Sequence, residues 1–229
     1  MSIFKRPQGL GTYLVILLLV YLAVTLIRIG LRAQVINPNP QALYASSAFS
    51  SHYKDIYENP MTPSFGNAAG DVTVVQYFDY QCNYSKADEE NVERLLEEDK
   101  HVRFIFKDFP KLGPYSVVLA RAAMASLRQG PDKYLKLHEA LLSNHAAVSN
   151  DDALYAVASS VGINVGQLKE DMNDPAIARQ IQDGFAIGKS IGVTIVPTFV
   201  RGGYLVPGFQ DYESLKQMVA YIRSTNGMH

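Results

Sequence analysis

Residues Val72 to Glu90 read VTVVQYFDYQCNYSKADEE, and the fold depends on what this stretch becomes. The run from Val72 to Phe78 is β-branched or aromatic at every position but Gln76, the pattern of a buried strand. Asp79-Tyr80-Gln81 ends the run, and Cys82, the one cysteine of the chain, stands where a charged helical segment begins. The first-turn N–H groups of a helix carry partial positive charge and favour a thiolate over a thiol. A cysteine at a strand-to-helix junction is therefore a candidate nucleophile. The residues alone leave a second reading open, in which Cys82 is a small buried hydrophobe.

With 229 residues, 48% hydrophobic and 19% charged, the chain can build one full domain plus an appendage. A net charge of −1 and the lack of a basic run argue against nucleic acid as a partner. A lone cysteine excludes an intramolecular disulfide and any Cys-rich metal site. His52, His101, His138, His145 and His229 show no ligand spacing, so no metal site and no cofactor are expected. His138 lies among Leu135, Leu137, Leu141 and Leu142 and reads as a satisfied helix residue rather than a proton shuttle.

Upstream, Lys5 and Arg6 precede a charge-free, mostly apolar run from Thr12 to Ile27, with Arg28 able to snorkel to an interface. Residues 1–33 are expected to form a signal anchor, a single-pass membrane helix. The alternative is a cleaved secretory signal, against which stands the poor cleavage site at Leu31-Arg32-Ala33. Basic residues flank both ends, so charge decides orientation weakly, but either reading carries the C-terminal domain across the membrane. Residues 34–66, rich in proline and serine, read as a tether. Within it Gln41 to Glu58 can form a short helix along Leu43, Phe49, Tyr53 and Ile56, for packing on the domain or for self-association.

The domain is expected over 67–229. Helices are expected over Lys86–Lys100, with Val92, Leu95 and Leu96 on one face and acids elsewhere, then Tyr115–Arg128, Lys133–Ser143, Asp152–Ser160 and Ala176–Ser190. Asn150 or Asp151 caps one of these, and Asp174-Pro175 opens another. Strands are expected over Val102–Phe106, Thr194–Val200 and Tyr204–Val206, with Gly202-Gly203 as the turn, before a final helix at Tyr212–Ile222. Pro197 cannot donate a ladder hydrogen bond, so it needs an edge, a bulge or a cis bond. The order is β, α, β, several helices, β, β, α.

Phe78-Asp79-Tyr80-Gln81-Cys82-Asn83-Tyr84-Ser85-Lys86, Lys107-Asp108-Phe109-Pro110, Val196-Pro197-Thr198-Phe199 and Val206-Pro207-Gly208 together resemble the DsbA-like branch of the thioredoxin superfamily. The resemblance covers about residues 60 to 225. It implies an α/β thioredoxin fold interrupted by a helical subdomain at about 114–175, with the nucleophile at Cys82 and a cis proline at Pro197. Two departures matter. Ser85 stands where the family keeps its resolving cysteine, and Gln76 stands where a buried glutamate is usual. The two together favour natural divergence over an engineered trap.

The resemblance implies thiol-disulfide exchange through one thiol, in which Cys82 forms mixed disulfides that a second substrate thiol or a small thiol such as glutathione must release. Ser85 is expected to donate a hydrogen bond to the thiolate. Tyr84, Val196 and Pro197 are expected to contact substrate, and Gln76 and Asn83 to modulate the site. Asp79 is read as a turn former. Expected partners are cysteine-containing envelope proteins or small thiols, with the membrane reached through the N-terminal helix. The expected location is a bacterial inner membrane with the domain in the periplasm or outside the cell. A redox-inactive peptide-binding or chaperone module, and a Cys82-linked homodimer, are the competing readings.

Overall fold

In the computed structural model, Val72–Phe78 is a strand in which every residue except Thr73 is buried. The structure describes Tyr21 and residues 43–44, 47–143 and 148–225. Six strands form one sheet: β1 (Leu43–Tyr44), β2 (Ser64–Gly66), β3 (Val72–Phe78), β4 (Val102–Asp108), β5 (Thr198–Arg201) and β6 (Tyr204–Pro207). Their order is β1-β6-β5-β3-β4-β2. β3 and β4 run parallel, in register from Val72 opposite Val102 to Phe78 opposite Asp108. Every other pairing is antiparallel. A parallel pair needs a crossover, and helix α3 (Asn83–Glu98) supplies it.

The strand alternation sends two sets of side chains to opposite faces. Val74, Phe78, Phe104, Phe106 and Phe199 pack with Val92 and Leu95 of α3 and with the helices that follow. Val75, Tyr77, Ile105 and Val200 pack with Phe49, Ile56 and Tyr57 from upstream and with Phe109, Ile191 and Val193 from downstream. Both faces are therefore covered, which explains why β3 lacks a solvated alternation.

Between β4 and β5 lie α4 (Pro114–Ser126), α5 (Pro131–Ser143), α6 (Asp151–Ser160), α7 (Val165–Asp171) and α8 (Pro175–Ser190), and the chain closes with α9 (Tyr212–Ser224). The expected caps form: Asn150 accepts from Ala153 N–H and Asp174 from Ala176 N–H. The seven-residue α7 was not expected. It is too short for a periodic stripe, and its start is marked only by Asn164, which accepts from Gln167 N–H.

The upstream segment differs most from expectation. Residues 43–44 and 47–66 belong to the sheet domain rather than to a tether, because β1 extends one edge of the sheet and β2 the other. The single helix expected over 41–58 is two short ones, α1 (Ser47–Ser51) and α2 (Tyr53–Tyr57). At the break Ser51 Oγ donates back to Ala48 O at 2.9 Å, the local bonding by which serine competes with helix continuation. Phe49, Ile56 and Tyr57 are buried, the packing role of that segment. The strand expected from Thr194 begins only at Thr198, after Pro197, which has no N–H for the ladder. The anchor expected over 1–33 lies outside the described residues except for Tyr21. Among the described residues no helix is long and apolar enough to cross a membrane.

Helix α8 crosses the sheet at Gly188, where an added Cβ would lie 2.8 Å from Phe109 Cε2 and 3.0 Å from Tyr77 Cε1. Both rings are buried and held edge to face. Gly188→Val is expected to lower stability by about 1–3 kcal/mol through overpacking. Urea denaturation should show a lower midpoint with an unchanged slope; an unmoved midpoint would mean that the ring pair yields freely.

Candidate active site

Cys82 is the N-cap of α3, with φ −90° and ψ 118°. Its N–H donates to Asp79 O at 2.9 Å and its carbonyl accepts from Lys86 N–H at 3.2 Å, so the turn before the helix is held at both ends. Asp79 also accepts from Gln81 N–H at 2.9 Å, the side-chain turn expected of it. The helix thus begins directly after Cys82 rather than at Lys86.

The thiol is 6% exposed and donates to Val196 O at 3.4 Å. Residues 114 positions apart are thereby brought together. The Val196–Pro197 bond is cis. Pro197 O accepts from Gly208 N–H at 2.8 Å, and Thr198 Oγ1 donates to Ile195 O at 2.8 Å, so this loop is internally held. Asn83 is exposed, as is Tyr84 at 66%, and both occupy the first turn of α3.

Ser85 is buried, and its Oγ has no hydrogen-bond partner among the described residues. No hydrogen bond joins Ser85 Oγ to Cys82 Sγ while the sulfur is a thiol; the expectation concerned the thiolate. The thiol is itself the donor here, with Val196 O as its acceptor.

Gln76 is buried and donates from Nε2 to Asp88 Oδ2 at 3.2 Å, while Asp88 Oδ1 accepts from Gln210 N–H at 2.8 Å. Burial pushes the Asp88 carboxyl up from its ordinary 3.8 to about 8, against the lowering effect of those two hydrogen bonds. A buried acid thus reaches Gln76 from α3. The expectation that acids lie off the apolar face of this helix is corrected: Ser85, Asp88, Glu89, Val92 and Leu95 share the buried face. The signal was present in the spacing, since Asp88 lies three residues after Ser85 and four before Val92.

His138 is wholly buried, and its Nδ1 pairs with Tyr80 OH at 2.8 Å, so one of the two ring nitrogens is satisfied as expected while buried Nε2 makes no hydrogen bond among the described residues. Its Nε2 stands 3.4 Å from Glu89 Oε2, long for a hydrogen bond. Among the described residues no group of three or more His, Cys, Asp or Glu side chains is placed to hold a metal ion.

Comparison with known proteins agrees with this geometry. A thioredoxin-like oxidoreductase from Silicibacter pomeroyi DSS-3 is 34% identical, with a TM-score of 0.69 over 75% of this chain and 97% of that one. The thiol-disulfide exchange protein alpha-DsbA2 from Wolbachia pipientis is 27% identical, with a TM-score of 0.70 over 76% of this chain and 93% of that one. The chain is also 28% identical over 150 residues to Na(+)/H(+) antiporter NhaA 1 of Salinispora arenicola, covering 65% of this chain but only 22% of that protein. Residues 73–220 match the model of the DSBA-like thioredoxin domain, well over half of the 229 residues, and the chain belongs to that family.

Proposed function

We propose that this protein is a thiol-disulfide exchange protein that acts through Cys82 alone. The observation that carries the reading is the pairing of Cys82 Sγ with Val196 O beside Pro197, with a hydroxyl where a resolving thiol belongs. In the first step the Cys82 thiolate attacks one sulfur of a substrate disulfide. A new bond forms from Sγ to that sulfur, the substrate S–S bond breaks, and the departing thiolate takes a proton from water. Sγ then carries no hydrogen, so Val196 O is freed to accept an N–H from the substrate backbone. In the second step an incoming thiolate attacks the substrate-side sulfur and returns Cys82 as thiolate. A substrate thiol gives isomerisation; a small thiol leaves a substrate–small-thiol mixed disulfide, and a second small thiol must attack that bond and depart as its own disulfide for net reduction.

The family, and the relatives named for thiol-disulfide exchange and oxidoreductase activity, support the chemistry. Tyr84, Val196 and Pro197 are the proposed substrate contacts, and cysteine-containing envelope proteins or small thiols the proposed partners. Placement in a bacterial envelope, anchored by the N-terminus, rests on the apolar run from Thr12 to Ile27 and on the restriction of stable disulfides to oxidising compartments.

Incubation with a scrambled disulfide substrate and glutathione tests the reading. The wild type is expected to give a Cys82 adduct by mass and to raise the rate of disulfide reshuffling, and Cys82→Ala to do neither. Reshuffling that survives Cys82→Ala would refute exchange. Ser85 favours one other reading, a peptide-binding module without turnover. That reading requires peptide binding that Cys82→Ala preserves, together with no adduct in the wild type.

A further inference from the structure

Asp79 is buried, and its carboxylate accepts more than the turn bond to Gln81. Its Oδ2 also takes Lys111 N–H at 2.8 Å and Leu112 N–H at 2.9 Å, from the loop that follows β4. Three backbone donors satisfy a carboxylate that burial would otherwise penalise. The Lys111 side chain then reaches across and donates from Nζ to Thr194 O. Thr194 lies two residues before Val196, whose carbonyl holds the Cys82 thiol. The path closes on itself: Cys82 to Val196, Thr194 to Lys111, Lys111 to Asp79, Asp79 to Gln81 and back to Cys82. A second tie runs beside it, since Ser116 Oγ of α4 donates to Gln81 Oε1 at 3.0 Å. Between the ties Gly113 turns the chain into α4 at φ +147°, a conformation that favours glycine.

We infer that Asp79 and Lys111 are positioning residues that fix the gap between the Cys82 turn and the Val196–Pro197 loop, and so favour extended peptide disulfides over small disulfides. The inference deepens the exchange reading and rests on it. A peptide that hydrogen-bonds to Val196 while its sulfur meets Cys82 needs both loops at one spacing, whereas a disulfide without a backbone needs only the sulfur. The ammonium-to-carbonyl tie is charge-assisted and sets that spacing from outside the reacting atoms. Tyr84, Leu112 and Ile195 are 66%, 49% and 47% exposed, so the braced segments also present apolar side chains to solvent.

The test compares adduct formation on Cys82 with a cystine-bridged peptide and with hydroxyethyl disulfide. Lys111→Met is expected to slow the peptide about tenfold or more, in line with the cost of a misplaced reacting pair, and to leave the small disulfide within about twofold. Lys111→Arg should restore the peptide rate, since it keeps a cationic donor. Asp79→Asn should behave like Lys111→Met, because an amide offers one acceptor oxygen where the loops need two. Parallel slowing with both reagents, or an unchanged peptide rate, overturns the inference. If the wild type forms an adduct with neither reagent, the exchange reading fails instead. The brace is then judged by alkylation of Cys82 with a bulky maleimide: Lys111→Met should accelerate it several-fold as the gap loosens, and an unchanged rate overturns the brace.

Discussion

Ser85→Cys is expected to shorten the lifetime of mixed disulfides on Cys82 by about a hundredfold or more, because it turns an intermolecular release into an intramolecular one. Position 85 lies one turn along α3 from the cap, where side chains three apart are neighbours. The wild-type hydroxyl there is 1% exposed and unpartnered, which costs on the order of 1–3 kcal/mol for a buried polar group. Sulfur bonds hydrogen weakly and packs as a small hydrophobe, so the substitution suits its surroundings. In the variant the introduced thiolate attacks Cys82 Sγ, a bond forms between the two, and the substrate leaves as a thiol. The variant then cycles as a dithiol and can oxidise reduced substrates by passing on its internal disulfide. Acid-trapped time courses read by mass should show the adduct accumulating in the wild type and vanishing in the variant. Equal lifetimes would mean that position 85 cannot reach the sulfur, and the single-thiol account of Ser85 would fall.

Asp88→Asn is expected to stabilise the protein increasingly as pH rises from about 4 to about 8. The folded carboxyl is held up to about 8 by burial, against an ordinary value of 3.8. Between those values the folded state keeps a proton that the unfolded state has released. The unfolded state then binds fewer protons, so unfolding free energy falls as pH rises through this window. The favourable state is the one below the unfolded value, and it is lost as pH climbs to the folded one. Asparagine does not titrate. Its carboxamide oxygen can accept from Gln210 N–H, and its NH₂ can donate to Gln76 once that amide turns over. The variant and the wild type should therefore match near pH 4 and diverge to a gain on the order of 5 kcal/mol at pH 8. Asp108 is also raised to about 8 by burial, and Glu93 and Glu139 are raised as well, so the wild-type slope has several sources; the difference between the two chains isolates Asp88. Urea midpoints measured across pH check this, and parallel curves would show that Asp88 is ionised in the fold.

Gln76 stands where a buried glutamate is usual, and the structure sets a buried carboxyl against it. A carboxyl is still present, but it comes from α3 and is tied to the loop after β6 through Gln210, 122 residues away. The spacing from Ser85 and Val92 is compatible with an inward Asp88, against the expectation that the acids of α3 lie elsewhere; the partner that makes it tolerable there is set by how α3 and that loop dock. Lys111 shows the same division. It reads as an ordinary loop cation in the chain, and it becomes a tie only because Thr194, 83 residues on, is folded against it. The upstream segment was misread for a related reason. Two- and three-residue edge strands carry too few side chains to show alternation, and β1 and β2 exist only because β6 and β4 offer unpaired edges.

By itself, the sequence determined the β-α-β start, the strand-to-helix junction at Cys82 and the proline beside Val196, and the family resemblance added the serine at the resolving position. The strand-forming run, the helix start and the residue without an N–H are local chemistry; the hydroxyl in place of a thiol is read against the family pattern. Only the tertiary structure decided that the thiol meets the Val196 carbonyl, that Ser85 Oγ has no partner among the described residues, that the buried Asp88 meets Gln76 and that Asp79 and Lys111 tie the two loops. Those contacts join residues far apart in the chain, and their existence depends on strand register and loop closure, which no local pattern encodes.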